Sequence, residues 1–297
     1  METLKDIYVI DTSPYELKGI VSSFLIVDEK VAIIDPGPAK EYERLRLALE
    51  RYGVKPDIVI ATHVHLDHAG ATGNLLRDYP SSVAYVHPRG VKHIVDPSKL
   101  WEAANAFSKL LSDAYGKPIG SEEKRVIAAE DMLSLSLGKH EIKFIHTPGH
   151  ASHHMSIILY PEKVLFSGDS AGGIFDIQGK EVYAITSPKP FKPKLYLESI
   201  RKMKRTEPTF IAPTHFGIHK NGRRYLDIAE ERTVLWLNKI SEFVKEGKDD
   251  VKLIYNELLK FDEDLRAINE TGISFLINGF ISDTIGGMID AIKNGEW

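Results

Sequence analysis

Cysteine is absent from the 297-residue sequence, and this absence excludes several kinds of chemistry. A chain without thiols forms no disulfide, no zinc–thiolate site and no cysteine nucleophile. Any transition-metal site must therefore be built from histidine and carboxylate side chains. Because proteins of reducing compartments rarely contain disulfides, the absence also agrees with the cytoplasmic localisation that we expect.

The sequence also lacks long apolar runs and an excess of positive charge. No apolar run approaches the ~20 residues that a membrane-spanning helix needs. The N-terminus, METLKDIYVIDTSPYELKG, lacks the basic and apolar regions of a signal peptide. The formal net charge of −4 provides no broad positive field. We therefore expect no membrane partner and no nucleic-acid partner.

Short β-type runs alternate with helical patterns over the first two-thirds of the chain, which predicts a mixed α/β domain over residues 1–221. From residue 222 the pattern is helical, and residues 222–297 are predicted to be a helical C-terminal extension packed on that domain. Apolar residues at helical spacing predict a single helix over residues 98–115. The last segment, from residue 274, contains internal glycines and is predicted to be broken rather than one long helix.

The segment THVHLDHAG, residues 62–70, places three histidines and an aspartate directly after the apolar strand IVIA. A solvated loop has no need of so many good metal ligands. His63 and His65 are two residues apart, so an extended backbone points both side chains the same way. Asp67 and His68 follow where the chain curls into a helix. This loop can therefore supply two ligands to each of two neighbouring metal ions.

Three later strand-like runs each end in a possible ligand. EIKFIHTPGH leads to His150, KVLFSGD leads to Asp169, and TFIAPTH leads to His215. Because a strand fixes the position of the residue that follows it, these three side chains can converge with the 62–70 segment at one edge of a sheet. Each histidine alone is more often structural than a ligand. The combination, with every member at a strand end, predicts a metal site.

The pattern H-x-H-x-D-H, followed by single His, Asp and His residues at strand ends, resembles the metallo-β-lactamase superfamily over roughly residues 7–219. The segment IIDPG, residues 33–37, matches the short acidic motif of that family, with Asp35 as the matching residue. The resemblance implies a four-layer αββα sandwich with the metal site at one edge between the two sheets. Aspartate at position 169 brings the pattern closer to the glyoxalase II-like and lactonase-like branches than to the secreted β-lactamases.

The resemblance also implies how the ligands are shared between two metal ions. The implied sets are His63, His65 and His150 for one metal, Asp67, His68 and His215 for the other, and Asp169 as the bridge. Two further residues are expected beside the site. Asp35 is expected to hydrogen-bond the 63–68 loop, and His154 is expected either to support the site or simply to pack in the core.

The reaction implied is hydrolysis of a small-molecule thioester, ester or lactone. Two Zn²⁺ ions, with Fe or Mn as alternatives, would lie about 3.5–4 Å apart and hold a bridging hydroxide. Asp67 would orient the hydroxide and pass its proton to the leaving group. The segment DSAGGIFDIQGK after the bridging position contains no arginine, which disfavours a glutathione thioester. Gly172 replaces the tyrosine that the lactonases carry three residues after their bridging aspartate.

Three other functions remain as alternatives. A persulfide dioxygenase-like enzyme would hold one iron with His63, His150 and Asp169. A nuclease uses the same ligand set but needs a basic channel, and a binding protein would keep metal only for stability. The C-terminal helices have three alternative roles: a pocket wall, a homodimer interface or core. In the first, Trp236, Phe243 or Phe280 would line the pocket.

Overall fold

The computed structural model describes residues 1, 3–177, 180–270 and 274–297. A first sheet contains six strands, which lie in chain order across it. These strands are β1 (Ile7–Asp11), β2 (Ser22–Ile26), β3 (Ala32–Ile34), β4 (Ile58–Ala61), β5 (Val83–Val86) and β6 (Val126–Ala128). The pairs from β3 to β6 are parallel, and the first two pairs are antiparallel.

A second six-stranded sheet follows in the chain, and its spatial order is β14-β13-β10-β9-β8-β7. Its strands, with the separate hairpin β11–β12, are β7 (Ser134–Ser136), β8 (Glu141–His146), β9 (Met155–Tyr160), β10 (Val164–Phe166), β11 (Gly173–Ile177), β12 (Lys180–Ala184), β13 (Phe210–Ala212) and β14 (His219–Lys220). The pair β10–β13 is parallel and the other pairs are antiparallel.

Helices lie against the outer faces of both sheets. They are α1 (Tyr42–Tyr52), α2 (Leu66–Ala69), α3 (Thr72–Asp78), α4 (Val91–Val95), α5 (Ser98–Phe107), α6 (Lys109–Tyr115), α7 (Pro193–Lys204), α8 (Gly222–Lys245), α9 (Val251–Leu258), α10 (Glu263–Asn269) and α11 (Ser274–Lys293). Among the described residues, no helix combines the length and the apolar character that crossing a membrane requires.

Three apolar clusters hold the layers together. The cluster between the sheets includes Phe24 and Phe166, whose ring centroids are 5.1 Å apart. A second cluster joins the outer face of the first sheet to α1, α3 and α4, and a third joins the outer face of the second sheet to α7 and the C-terminal helices. The strands of the first sheet read as continuous apolar runs because both faces are covered. The predicted four-layer αββα sandwich with a helical C-terminal region is confirmed.

The C-terminal helices extend the outer core of the second sheet. Helix α8 packs on α7 and β13, and Trp236 of α8 lies in the same apolar cluster as Leu165 of β10. The indole Nε1 of Trp236 donates a hydrogen bond to Asp262 Oδ2 at 2.9 Å, so this side chain belongs to the core. Phe243 packs against the same cluster.

Two helix predictions were wrong. The segment 98–115 is two helices, because Ser108 adopts an extended conformation and its Oγ accepts a hydrogen bond from Leu111 N, which caps α6. The last segment is one continuous helix, α11, rather than a broken one. Each glycine inside a helix lowers the stability of the helix by about 1 kcal/mol relative to alanine. Burial of one face of α11 outweighs that cost, and the buried apolar residues on it are Ile281, Ile285, Met288 and Ile289.

Candidate metal centre

The loop after β4 brings the first histidines together at the edge of the first sheet. His65 keeps an extended backbone, with φ −61° and ψ 152°, immediately before α2 begins at Leu66. His63 Nε2 lies 2.9 Å from His65 Nδ1, and His150 Nε2 lies 3.2 Å from the same atom. His150 comes from the turn after β8. These three side chains form a group in which one ring nitrogen from each lies within 4.8 Å of the others.

A second group lies beside the first. Asp67 Oδ2 is 3.9 Å from His68 Nε2 and 3.6 Å from His215 Nε2, and all three ligand atoms lie within 4.8 Å of one another. Asp67 and His68 belong to α2, whose first turn rotates them away from the extended His63 and His65. His215 follows β13 of the other sheet. The centre therefore lies where the edges of the two sheets meet.

Asp169 lies between the two groups and presents one carboxylate oxygen to each. Oδ1 is 3.4 Å from His68 Nε2 and 3.7 Å from His215 Nε2. Oδ2 is 3.5 Å from His150 Nε2. A carboxylate with one oxygen toward each of two ligand groups has the arrangement that a bridging ligand requires.

Several inward-facing atoms of the centre are buried without a hydrogen-bond partner among the described residues. They are His68 Nε2, His215 Nε2 and Asp169 Oδ1. A buried polar atom left without a partner costs about 1–3 kcal/mol. Two imidazole nitrogens and a carboxylate oxygen that converge in this way suit borderline divalent cations. The donor set therefore fits divalent metal ions.

The Nδ1 atoms of His150 and His215 are each held by an acceptor outside the centre. His150 Nδ1 donates to the carbonyl of Thr186 at 2.9 Å, and His215 Nδ1 donates to the carbonyl of Ile20 at 2.7 Å. Carbonyl oxygens only accept, so in both rings Nδ1 carries the proton and Nε2 has a free lone pair. Contacts of this kind orient metal-binding histidines.

The side chain of Asp35 supports the loop after β4 through hydrogen bonds. Its carboxylate accepts hydrogen bonds from Thr62 N at 2.7 Å, His68 Nδ1 at 2.9 Å and Thr214 Oγ1 at 2.6 Å. The side chain is completely buried. The contact to Thr62 and the contact to His68 lie at either end of the 63–68 loop, as the sequence predicted for this residue. Thr214 adds a link to the strand end that carries His215.

His154 contacts the backbone of the bridging residue. Its Nε2 accepts a hydrogen bond from Asp169 N at 3.0 Å, and its Nδ1 lies 2.9 Å from Ser170 Oγ. Ser170 Oγ donates to Thr147 O, so it accepts the proton of His154 Nδ1. The ring is fully buried. Of the two roles expected for His154, support of the centre is the one that these contacts favour.

The electrostatics of the two ligand groups differ. The first group favours neutral histidines, and the second favours a bound cation. Burial, with the neighbouring histidines, holds the pKa of His63, His65 and His154 well below its usual range. Burial also opposes the charge of His68, but the carboxylates of Asp169, Asp67 and Asp35 outweigh it and raise the pKa of His68 to about 10. The electrostatic field around Asp169 therefore favours a positive charge in the second group.

A cavity of about 370 Å³ lies above the centre, and four of the grouped residues form its floor: His65, Asp67, His150 and Asp169. One wall comes from α5 and α6, and the opposite wall comes from α11 and the loop before α7. The wall residues are Leu100, Ala103, Ala104, Phe107, Leu111, Ser112, Tyr115, Thr186, Pro188, Lys189, Phe280, Asp283 and Thr284. The cavity thus combines a polar floor with mainly apolar walls, as small-molecule sites do.

The sequence analysis gave no definite role to two residues of this cavity. Tyr115 is buried beside the floor, and burial together with the charges of Asp67 and Asp169 holds the pKa of its phenol well above the usual range. Asp283 lies in the wall formed by α11. No sequence motif marks either residue, because the cavity forms only when α6 and α11 dock over the centre. Of the aromatic residues named for the pocket-wall alternative, Phe280 lines the cavity and Trp236 does not.

Comparison with known proteins gives a consistent assignment of the fold. Residues 17–215 match the family model of the metallo-beta-lactamase superfamily. The metallo-beta-lactamase fold-containing protein ST1585 of Sulfurisphaera tokodaii is 30% identical over 219 residues, which are 72% of this chain and 79% of that protein. The crystal structure of ST1585 superposes with a TM-score of 0.73 and 24% identity, and covers 96% of this chain and 99% of that one.

A shorter match points to a named hydrolase. The hydroxyacylglutathione hydrolase GloC of Haemophilus influenzae is 31% identical over 143 residues, which are 48% of this chain and 62% of that protein. The match therefore leaves about half of this chain uncovered.

Proposed function

Because the chain belongs to the metallo-β-lactamase superfamily, we propose that it is a binuclear metal-dependent hydrolase that cleaves a thioester, an ester or a lactone. The observation that carries the proposal is the position of Asp169, with one carboxylate oxygen toward each of two ligand groups at the floor of an apolar cavity. The name of the Haemophilus relative, a hydroxyacylglutathione hydrolase, supports a hydrolytic reaction.

The seven grouped side chains would hold the metals, for which we propose two Zn²⁺ ions. The first ion would be held by His63, His65 and His150 and the second by Asp67, His68 and His215, and Asp169 would contribute a carboxylate oxygen to each. When bound, such ions supply Lewis acidity toward the substrate carbonyl and lower the pKa of water toward neutral. A nucleophile from the protein is then unnecessary, which agrees with a sequence that has no cysteine.

Asp67 is the residue best placed to move a proton. Its carboxylate belongs to the second ligand group and also forms part of the cavity floor. In the hydrolysis, the oxygen of water bonds to the carbonyl carbon and the bond to the thiolate or alkoxide breaks. Asp67 accepts the proton that water loses and returns it to the departing sulfur or oxygen, so that acid and alcohol or thiol are released.

Tyr115 would assist the same step as a hydrogen-bond donor. Its phenol keeps its proton, because burial and the nearby carboxylates hold its pKa high. It faces the cavity beside Asp67. Negative charge develops on the carbonyl oxygen as water adds, and a fixed donor at that point stabilises the transition state more than the substrate.

The test is a substrate panel on protein that has been stripped by a chelator and reloaded with Zn²⁺, Mn²⁺ or Fe²⁺. We expect thioester, ester or lactone hydrolysis that disappears with the chelator and returns with two equivalents of zinc. Absence of hydrolysis in the fully loaded protein would contradict the proposal. Oxygen consumption with a persulfide by the iron-loaded protein would instead support the dioxygenase alternative.

A further inference from the structure

The wall of the cavity opposite α5 and α6 contains a carboxylate that no other group neutralises. Asp283 of α11 lines the cavity, is partly buried, and makes no hydrogen bond or ion pair with any residue that the structure describes. Burial raises the pKa of Asp283 to about 6. At neutral pH the side chain is therefore largely an anion in a mainly apolar wall. Such a charge is expected to gain from a partner.

The position of Asp283 is fixed by the residues around it. Thr284 Oγ1 donates to the carbonyl of Ile185 at 2.9 Å and accepts from Ser187 N at 3.1 Å. These two contacts bind α11 to the loop that also provides the carbonyl of Thr186 to His150. The backbone of α11 at Asp283 is thus fixed relative to the loop that contacts His150, as the backbone of a residue that selects substrates must be.

The other charged groups of the cavity already have partners. Lys189 Nζ lies 3.2 Å from Asp290 Oδ1, so its charge is compensated outside the cavity. Asp67 and Asp169 belong to the ligand groups. Asp283 is therefore the one carboxylate, among the described residues that line the cavity, that remains available to a substrate. Phe107 and Leu111, which line the same cavity, suit an apolar chain.

We propose that Asp283 selects substrates whose acyl group carries a cationic nitrogen, separated from the scissile carbonyl by an apolar chain. The carbonyl lies at the cavity floor, the chain lies along α5 and α6, and the cation lies against Asp283. A carboxylate at the same position of the acyl group is repelled. This inference rests on the proposed function, because it names the substrate class of the same site.

The experiment compares three esters of equal chain length on zinc-loaded protein. Their acyl groups are 6-(trimethylammonio)hexanoyl, its neutral isostere 7,7-dimethyloctanoyl, and heptanedioyl, which ends in a carboxylate. We expect kcat/KM for the cation to exceed that for the neutral isostere at least about tenfold, in line with one ion pair in a partly buried site. The carboxylate should be the poorest substrate of the three.

Two variants test whether Asp283 causes the preference for the cationic ester. In Asp283→Asn, the cation-to-neutral ratio of kcat/KM should fall to about one, because the amide carries no charge. In Asp283→Lys the order of cation and carboxylate should reverse. The matched control is Asp113→Asn, since Asp113 is an exposed aspartate of α6 that pairs with Lys109 outside the cavity. A wild-type ratio of one, or a ratio unchanged in Asp283→Asn, would overturn the inference.

A binding measurement separates this inference from the proposed function. If zinc-loaded protein hydrolyses none of the three esters, the proposed reaction is wrong, and calorimetry with 6-(trimethylammonio)hexan-1-ol and 7,7-dimethyloctan-1-ol still tests the site. Tighter binding of the cation in wild type, lost in Asp283→Asn, supports the inference. Equal binding of the two alcohols overturns it.

Discussion

The carboxylate of Asp35 accepts a hydrogen bond from Nδ1 of His68 at 2.9 Å, and neither side chain is exposed. The contact determines that Nε2 of His68 faces Asp67 and Asp169. The pair therefore links the metal centre to the strand end that contains Asp35. The first prediction concerns this link.

Asp35→Asn should lower metal affinity by about 10- to 100-fold, the range found when a residue that orients a metal ligand is removed. Thr62, His68 and Thr214 all donate hydrogen bonds to the Asp35 carboxylate. The amide of asparagine would place N–H donors opposite these donors. Competition with a chromophoric chelator measures the affinity. We expect the group of Asp67, His68 and His215 to lose its ion first.

Asp28→Asn is the matched control for this substitution. Asp28 also accepts a hydrogen bond inside a buried pair, from His140 Nδ1 at 2.6 Å, but the pair lies in the turns after β2 and β7. The control should lower the melting temperature and leave metal affinity unchanged. Equal metal affinity in Asp35→Asn and wild type would show that Asp35 does not support the centre.

The second prediction concerns the contact between α11 and the loop before α7. A Cβ at position 287 would overlap the carbonyl oxygen of Ser187, so α11 must shift in Gly287→Ala. We expect a loss of about 1–3 kcal/mol of stability, as in other overpacked sites, together with a several-fold increase in KM. Metal content should not change, because α11 provides none of the grouped residues.

Gly286→Ala provides the comparison one residue earlier in the same helix. A Cβ at position 286 meets no atom within 4 Å, so the substitution should leave KM unchanged and stabilise the helix by up to about 1 kcal/mol. Thermal unfolding and steady-state kinetics measure both effects. If the two variants raise KM equally, or neither does, α11 is not a wall of the substrate cavity. A change in solution mass alone would favour the homodimer interface, which remains a prediction.

The third prediction concerns Tyr115. Tyr115→Phe keeps the ring but removes the donor, so kcat should fall on the order of a hundredfold, as it does when an oxyanion donor is removed. The metal content and KM should change little. Tyr42→Phe is the control, because Tyr42 is also buried and donates to Asp78 Oδ2 at 2.7 Å, but from α1 on the outer face of the first sheet. Wild-type turnover in Tyr115→Phe would exclude the phenol from the reaction.

The fourth prediction concerns Asp67. Asp67→Asn keeps the size of the side chain but removes its charge, and hydrolysis should fall by at least about a hundredfold. Folding should largely survive, because the side chain makes none of the contacts of the three main apolar clusters. Asp113→Asn tests whether loss of any nearby negative charge has the same effect. Turnover equal to wild type in Asp67→Asn would remove this residue from the proton transfer.

The grouped residues were predictable because each is tied to a local feature of the chain. His63 and His65 directly follow a buried strand, and His150, Asp169 and His215 follow the ends of other strands, so the sheets alone bring them together. The cavity was less predictable. Its walls depend on how α5, α6 and α11 dock, and no local pattern in the sequence encodes that docking.

The two helix errors have different origins. Periodicity predicted one helix over residues 98–115, but the Ser108 side chain competes for a backbone N–H and divides it. Glycines predicted a break in α11, but there the tertiary contacts outweigh local propensity. The hairpin β11–β12 was not predicted, although Gly172 and Gly173 mark its start.

The most direct test of the binuclear centre is native mass spectrometry of zinc-saturated protein, with His215→Ala measured beside wild type. We predict two zinc ions in wild type and one in His215→Ala, because the group of His63, His65 and His150 stays intact in the variant. No more than one tightly bound zinc ion in wild type would contradict the account.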